Sequence, residues 1–249
     1  MKSVTRSRLL RLVLLSLIVL IGRDADLSAQ KSVTNDQVRI ALIGDSTVAS
    51  YPNPPKDRPV LTGWGQVFGE FFTDRVEIQN FALSGRSSKS FLRENRWQPV
   101  LDAKPDYVFI QFGHNDQPGK GDRTTDPEGD FRDNLRLYIS DARKIGATPV
   151  LVTPVARRVF ENGKPVTTLQ PWADAIFAVG KETDTPVIDL HAASFRLYEK
   201  LGDAGSADFN PAASDRTHFS RKGAREMAAL VATELRRKIP AIASLLKTD

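Results

Sequence analysis

Short apolar runs rich in β-branched residues alternate with longer stretches of helical period from Gln37 onward. Five of these runs predict strands, at residues 38–43, 76–81, 107–112, 149–153 and 186–190. Apolar residues spaced three or four apart predict two helices, carrying Phe131, Leu135, Tyr138, Ala142 and Ile145 in one and Ala224, Met227, Ala228, Val231 and Leu235 in the other. This rhythm is typical of one α/β domain built on a five-stranded parallel sheet.

Two segments interrupt the rhythm and predict loops. Residues 51–59 hold four prolines, and residues 118–129 are rich in Gly, Asp and Thr. In an open parallel sheet, ligands bind beyond the carboxyl ends of the strands. We therefore expect the chemistry among the residues that follow the first three predicted strands.

The N-terminus predicts a secretory signal peptide over residues 1–29. Lys2, Arg6, Arg8 and Arg11 precede an apolar run of about ten residues, which is too short for a stable membrane span. Ser28 and Ala29 offer a small-residue cleavage point. The alternative is an uncleaved anchor. With cleavage, we expect residues 30–249 to be a single domain that is secreted or periplasmic, monomeric and not inserted in the membrane.

Composition excludes several classes of function. Of the 249 residues, 41% are apolar and 26% charged, which is typical of a soluble globular protein. The net charge of +5 suggests nucleic acid, but residues 1–29 carry five basic and two acidic residues, and their loss leaves +2. At that charge a nucleic-acid partner loses its main electrostatic attraction. The lack of cysteine excludes disulfides, thiolate metal ligands and a cysteine nucleophile.

A serine and a histidine are the best candidates for catalysis. Ser46, in Gly-Asp-Ser-Thr, ends the first predicted strand where a helix should begin. Alone, this pattern is as typical of a helix cap as of a nucleophile. Asp215 stands three residues before His218, and in a turn this spacing lets the carboxylate reach the Nδ1–H of the ring. The Nε2 atom is then free to take a proton from a nucleophile.

The second and third strands supply candidates for an oxyanion hole. Gly85 follows the second strand, and Asn115, in Gly-His-Asn-Asp, follows the third. Acyl transfer needs fixed donors for the oxyanion of its tetrahedral intermediate, and a glycine N–H and an asparagine amide are suitable.

These four blocks, in this order, resemble the SGNH, or GDSL, hydrolase superfamily over the whole mature chain. Within it, residues 63–66, 85–91 and 112–116 are similar to rhamnogalacturonan acetylesterases and their secreted bacterial relatives. The family often has glycine where this chain has Ser84, which leaves the oxyanion hole intact. The chain has no Gly-x-Ser-x-Gly, so a nucleophile-elbow α/β-hydrolase is excluded.

The resemblance implies a three-layer α/β/α, flavodoxin-like fold. It implies that Ser46 is the nucleophile, His218 the base and Asp215 the residue that orients it. It also implies an oxyanion hole formed by the N–H groups of Ser46 and Gly85 and the side-chain amide of Asn115. No cofactor or metal is implied.

Other side chains have both a functional and a structural interpretation. Asp45 braces its loop by accepting N–H bonds rather than reacting. His114 touches substrate or packs as a hydrogen-bonded ring, and His191 is structural. The tryptophans stack on sugar rings or fill the core, and they are Trp64, Trp97 and Trp172.

A basic stripe follows the oxyanion glycine. Its members, at spacings of three, four and three, are Arg86, Lys89, Arg93 and Arg96. They predict one face of a helix that begins beside Gly85. Such a stripe is a solvated face, or it binds the carboxylates of an acidic polysaccharide, with Arg86 and Lys89 as the candidates.

The sequence therefore predicts a secreted, metal-independent serine esterase that removes acetyl groups from a plant cell-wall polysaccharide, a pectic rhamnogalacturonan above all. One alternative is a lipase or thioesterase of the same superfamily, although the loops show no long apolar segment for an acyl chain. Others are a xylan acetylesterase and a non-catalytic carbohydrate-binding protein of the same fold.

Overall fold

A computed structural model describes residues 37–248. Strands in this range are β1 (Val38–Gly44), β2 (Leu61–Thr62), β3 (Val76–Asn80), β4 (Tyr107–Gln111), β5 (Thr148–Val152), β6 (Val159–Glu161), β7 (Lys164–Val166), β8 (Val187–Ile188) and β9 (Phe219–Ser220). Its α-helices are α1 (Trp64–Val67), α2 (Ser88–Arg93), α3 (Gln98–Asp102), α4 (Asp130–Lys144), α5 (Gln170–Glu182), α6 (Leu190–Gly205), α7 (Arg221–Lys238) and α8 (Pro240–Ala243). The predicted signal peptide, residues 1–29, lies outside the described residues, so it stays a prediction.

The five predicted strands form one parallel sheet in the order β3-β1-β4-β5-β8. Counted along the chain, this is the order 2-1-3-4-5 of flavodoxin-like folds. The order reverses at β1, because the chain leaves β1 for β3 on one side and returns to β4 on the other. Ligands of such sheets bind at this reversal, beyond the carboxyl ends of the strands.

Helices cover both faces of the sheet. Ile40 and Leu42 of β1 belong to one apolar cluster with α7, whereas Ala41 and Ile43 belong to a second cluster with α4 and α5. Strands buried on both faces read as continuous apolar runs, which explains the pattern in the sequence. The predicted three-layer α/β/α fold is confirmed, and the two predicted helices are α4 and α7. Among the described residues, no helix is long and apolar enough to cross a membrane.

The segment after β1 differs from the prediction. Ser46 lies in a turn, closed by bonds from the N–H groups of Val48 and Ala49 to the carbonyl of Asp45, and no helix begins there. The four prolines of residues 51–59 prevent a helix from extending through this segment, because proline lacks the backbone N–H and clashes with the preceding turn of a helix. The chain returns as α1, which packs directly on the Ser46 turn. A Cβ at Gly63 would lie 2.2 Å from the carbonyl oxygen of Ala49.

Two short antiparallel pairs were not predicted. β6 and β7 form a hairpin after β5, and β2 pairs with β9. Leu61 lies opposite Ser220, and Thr62 opposite Phe219. This pairing holds the end of the proline-rich loop beside the turn that carries His218.

Candidate active site

The structure brings Ser46, His218 and Asp215 into one hydrogen-bonded line. Ser46 Oγ lies 2.9 Å from His218 Nε2, and His218 Nδ1 lies 2.8 Å from Asp215 Oδ2. The N–H groups of Thr217 and His218 donate to Asp215 Oδ1 at 3.0 and 2.9 Å. The carboxylate is therefore fixed by its own turn. The arrangement suits a nucleophile, a base and an orienting carboxylate.

A buried arginine supports this turn from behind. Arg158 is fully buried, and its Nη2 donates to the carbonyl oxygens of Asp215 and His218. Its guanidinium also lies over the ring of Phe219, 4.7 Å from the centroid. The turn is thus anchored through its backbone. Sequence reasoning missed Arg158, because nothing in its local pattern marks a fully buried arginine.

A second arginine, Arg58, enters from the proline-rich loop. Its Nη1 donates to Asp215 Oδ2 at 3.3 Å and lies 3.5 Å from His218 Nδ1. From the same loop, the hydroxyl of Tyr51 donates to the carbonyl of Ser46 at 2.8 Å. The sequence predicted a loop here but had no signal for its contact with the catalytic candidates.

These surroundings set the charge states of His218 and Asp215. Burial lowers the pKa of His218; the Asp215 carboxylate opposes this, and Arg58 adds to the lowering. Burial raises the pKa of Asp215, but hydrogen bonds from the backbone N–H of His218 and Thr217 and the charge of His218 outweigh it and bring the pKa to about 2. At neutral pH, Asp215 is ionised and His218 is neutral, which is the state that a general base requires.

Asp45 braces the serine turn. Its Oδ1 accepts from the N–H of Thr47 at 2.8 Å and from the Thr47 hydroxyl at 2.7 Å. Its Oδ2 lies 3.1 Å from Nδ1 of His114. His114 is 3% exposed, and its buried Nε2 has no hydrogen-bond partner among the described residues, which favours the packed ring, while the substrate contact of His114 stays a prediction. Its ring is a packed tie between the loops that follow β1 and β4.

The oxyanion candidates lie at the same sheet edge. Gly85 has φ of +79°, a conformation that favours glycine, in a turn closed by the Arg86 N–H and the Leu83 carbonyl. One amide hydrogen of Asn115 donates to the carbonyl of Arg86 at 3.1 Å, which leaves the other available. Within residues 37–248, the N–H groups of Ser46 and Gly85 donate to no other residue. Three donors of the predicted kinds are therefore free to bind an oxyanion.

Asp116 ties these loops together, and sequence reasoning gave it no role. The buried carboxylate accepts from the N–H of Gly113 and of Ser88, both at 3.0 Å, and from the hydroxyls of Ser88 and Thr125 at 2.6 and 3.1 Å. Burial raises its pKa to about 7, against the effect of these bonds. Its place in Gly-His-Asn-Asp was the only signal in the sequence.

The predicted basic stripe is not one helix face. α2 covers only residues 88–93, so Arg86 precedes it and Arg96 follows it. Every member is paired with a carboxylate, and the pairs are Arg86 with Glu94 at 2.9 Å, Lys89 with Asp130 at 3.2 Å, Arg93 with Asp122 at 2.7 Å and Arg96 with Glu94 at 3.5 Å. These charges are already neutralised, which speaks against Arg86 and Lys89 as substrate ligands.

The remaining candidates belong to the core. Trp64, Trp97 and Trp172 are at most 5% exposed, so they do not offer faces for sugar rings. His191 is buried, with its Nδ1 3.0 Å from the carbonyl of Pro154, in line with a structural role. In the described part of the chain, no three His, Cys, Asp or Glu side chains are grouped to hold a metal ion.

Comparisons with known proteins found a matching family and similar proteins. The model of the GDSL-like lipase/acylhydrolase family matches residues 42–226. The chain is 43% identical over 210 residues to the rhamnogalacturonan acetylesterase RhgT of Bacillus subtilis, covering 78% of this chain and 88% of that protein. It is 36% identical over 215 residues to the probable rhamnogalacturonan acetylesterase YesY of the same organism, covering 84% and 97%.

Solved structures share the fold. The YxiM protein of Bacillus subtilis superposes with a TM-score of 0.71 at 26% identity, over 81% of this chain and 56% of that one. The acetylxylan esterase Axe2 of Geobacillus stearothermophilus superposes with a TM-score of 0.62 at 20% identity, over 80% and 94%. At that identity the second likeness concerns the fold alone.

Proposed function

The chain belongs to the GDSL-like lipase/acylhydrolase family, which makes it a carboxylic ester hydrolase, and we propose that it is a secreted serine esterase that removes O-acetyl groups from rhamnogalacturonan. The observation that carries the proposal is the line from Ser46 Oγ through His218 to Asp215, with contacts of 2.9 and 2.8 Å. The substrate is proposed from the two relatives with that name, and secretion from the N-terminal sequence pattern.

The proposed reaction has two halves. Ser46 Oγ attacks the acetyl carbonyl carbon while Nε2 of His218 takes the hydroxyl proton, and the oxyanion receives bonds from the Ser46 and Gly85 N–H groups and the Asn115 amide. The tetrahedral intermediate expels the sugar oxygen, which accepts the proton from His218. Water then attacks the acetyl-serine, with His218 again as base, and releases acetate and free Ser46.

Acetate release from a panel of esters tests this proposal. Acetylated rhamnogalacturonan, acetyl xylan, an aryl acetate and an aryl ester of a long fatty acid are compared with the full-length mature protein. We expect the highest kcat/KM among the polysaccharides on rhamnogalacturonan, and little turnover of the long-chain ester. Faster deacetylation of acetyl xylan would contradict the substrate but not the chemistry. Absence of turnover with every ester would contradict the proposed activity itself.

A further inference from the structure

Arg157 lies between the two loops that carry the base and the oxyanion asparagine. It follows β5, and its Nε donates to the Thr217 hydroxyl at 3.2 Å, one residue before His218. Its Nη1 donates to Gln117 Oε1 at 2.6 Å, two residues after Asn115. The guanidinium thus bridges both sides of the proposed active site.

The guanidinium of Arg157 has no ion-pair partner among the described residues. Within residues 37–248, no Asp or Glu oxygen lies within ion-pair distance of its guanidinium, and its partners are neutral side chains. The stripe from Arg86 to Arg96 is fully paired, and Arg58 pairs with Asp215. Burial lowers the pKa of Arg157, the charge of Asp45 opposes this, and the guanidinium keeps its charge. A half-buried cation without an ion-pair partner is costly, and an anionic ligand in direct contact offsets that cost.

Hydrogen bonds fix the side chain of Arg157 in an orientation that suits an anionic ligand. Gln117 Nε2 donates to the carbonyl and the hydroxyl of Thr168 at 2.8 and 2.7 Å. Those bonds orient the Gln117 amide so that its oxygen faces Arg157. Among the described residues, Nη2 of Arg157 donates to none, and the residue is partly exposed. A guanidinium with free N–H groups in a fixed plane matches the geometry of a carboxylate.

Arg123, like the fully buried Arg158, lies near the site without a carboxylate partner in the described range. Its Nη1 donates to the carbonyl of Gly85 at 2.7 Å and its Nε to the carbonyl of Lys120 at 3.2 Å. Both bonds hold the turn that carries the oxyanion glycine. Arg123 therefore supports the backbone, whereas Arg157 bridges the loops that carry Asn115 and His218.

We infer that Arg157 binds a uronate carboxylate of the substrate and makes the enzyme selective for acetyl esters on acidic polysaccharides. The inference rests on the proposed function and deepens it. It assigns the carboxylate contact to Arg157, which no local pattern marked, instead of Arg86 and Lys89, which were the candidates in the sequence. The bound carboxylate would belong to a sugar close to the acetylated one, because Arg157 contacts the neighbours of His218.

A matched pair of substrates tests the inference. One is an acetylated rhamnogalacturonan oligosaccharide with free carboxylates, and the other is the same oligosaccharide with those groups methyl-esterified. Arg157→Gln is expected to lower the ratio of kcat/KM, acidic over esterified, by about ten- to a hundredfold, mainly through KM, since a hydrogen bond to a charged group is lost. Arg157→Lys keeps the charge but loses the planar pair of N–H donors that a guanidinium offers to a carboxylate. We therefore expect a ratio between those of the wild type and Arg157→Gln. Arg93→Gln removes an equal charge from a paired, exposed site and should leave the ratio unchanged.

Salt provides an independent readout. Raising the ionic strength should raise KM for the acidic oligosaccharide in the wild type and less so in Arg157→Gln. Equal losses on both oligosaccharides in both Arg157 variants would show a supporting role only and overturn the inference. If the wild type deacetylates both oligosaccharides and Arg157→Gln keeps the wild-type ratio of kcat/KM, the inference is overturned too, while the proposed function stands. A wild type that releases acetate from neither oligosaccharide would instead refute the proposed function, and the inference with it.

Discussion

Removal of the Arg58 charge should move the acid limb of the pH profile upward. Arg58 Nη1 lies 3.5 Å from His218 Nδ1, and this cation disfavours protonation of the ring. Arg58→Gln therefore raises the pKa of His218. The neutral, basic form of the ring then disappears at a higher pH when the solution is acidified, so activity is lost earlier.

The magnitude follows from distance and exposure. Two unit charges 3.5 Å apart interact by about 1.2 kcal/mol in a medium as polar as water, and by more where water is excluded. The Arg58 side chain is 30% exposed, and screened pairs of this kind contribute about 0.2–1 kcal/mol. One pH unit corresponds to about 1.4 kcal/mol, so we expect a shift of about half a unit. On the acid limb, kcat/KM should fall about threefold, with little change above the pKa.

The assay is kcat/KM for an aryl acetate across the acid and neutral range. Lys56→Gln is the matched control, because it removes an equal charge two residues away on an exposed position. The control should keep the wild-type profile. A downward shift in Arg58→Gln, or equal shifts in both variants, would refute the reasoning that Arg58 acts directly on His218. An unchanged profile would do the same.

Three further perturbations address the oxyanion hole, a structural histidine and a close glycine contact. Asn115→Ala removes one fixed donor and should lower kcat by about 10²–10³ with a smaller effect on KM, measured on the aryl acetate; a loss confined to KM would contradict its role. His191→Ala should lower the melting temperature and change kcat little, whereas a kinetic loss equal to that of His218→Ala would mean that the base was misassigned. Gly63→Ala places a Cβ 2.2 Å from the Ala49 carbonyl oxygen, so both melting temperature and kcat should fall as the Ser46 turn is displaced; wild-type values for both would show that the turn adjusts freely.

Much of the fold follows from local pattern. Strands buried on both faces leave continuous apolar runs, and α4 and α7 each present one apolar face, so these elements are legible in the sequence. The Asp-x-x-His spacing is a property of one turn, and the contact between His218 and Asp215 could be predicted from it. The parallel sheet then explains why Ser46, Gly85 and Asn115 lie at one edge.

Other parts depend on contacts between distant segments. The spacing of Arg86, Lys89, Arg93 and Arg96 suggested a helix face. Of their partners, Glu94 directly follows α2, Asp122 lies between β4 and α4, and Asp130 begins α4. The roles of Arg58, Arg157 and Arg158 likewise arise from loops that pack around the turn of His218. The periodicity of apolar residues does not encode such contacts, because each contact depends on how two loops that are distant in the sequence pack together.

The identity of the nucleophile is tested most directly by trapping it. The mature wild type and its Ser46→Ala variant are treated with an aryl phosphonate that reacts with activated serines, and the modified peptide is identified by mass spectrometry. The matched control is Ser84→Ala, which removes a serine from the neighbouring loop. We expect one adduct, on Ser46, in the wild type and the control, and none in Ser46→Ala, whose turnover of an aryl acetate should fall by about 10⁴-fold or more. An adduct on another residue, or a tenth of the activity retained by Ser46→Ala, would contradict the serine mechanism.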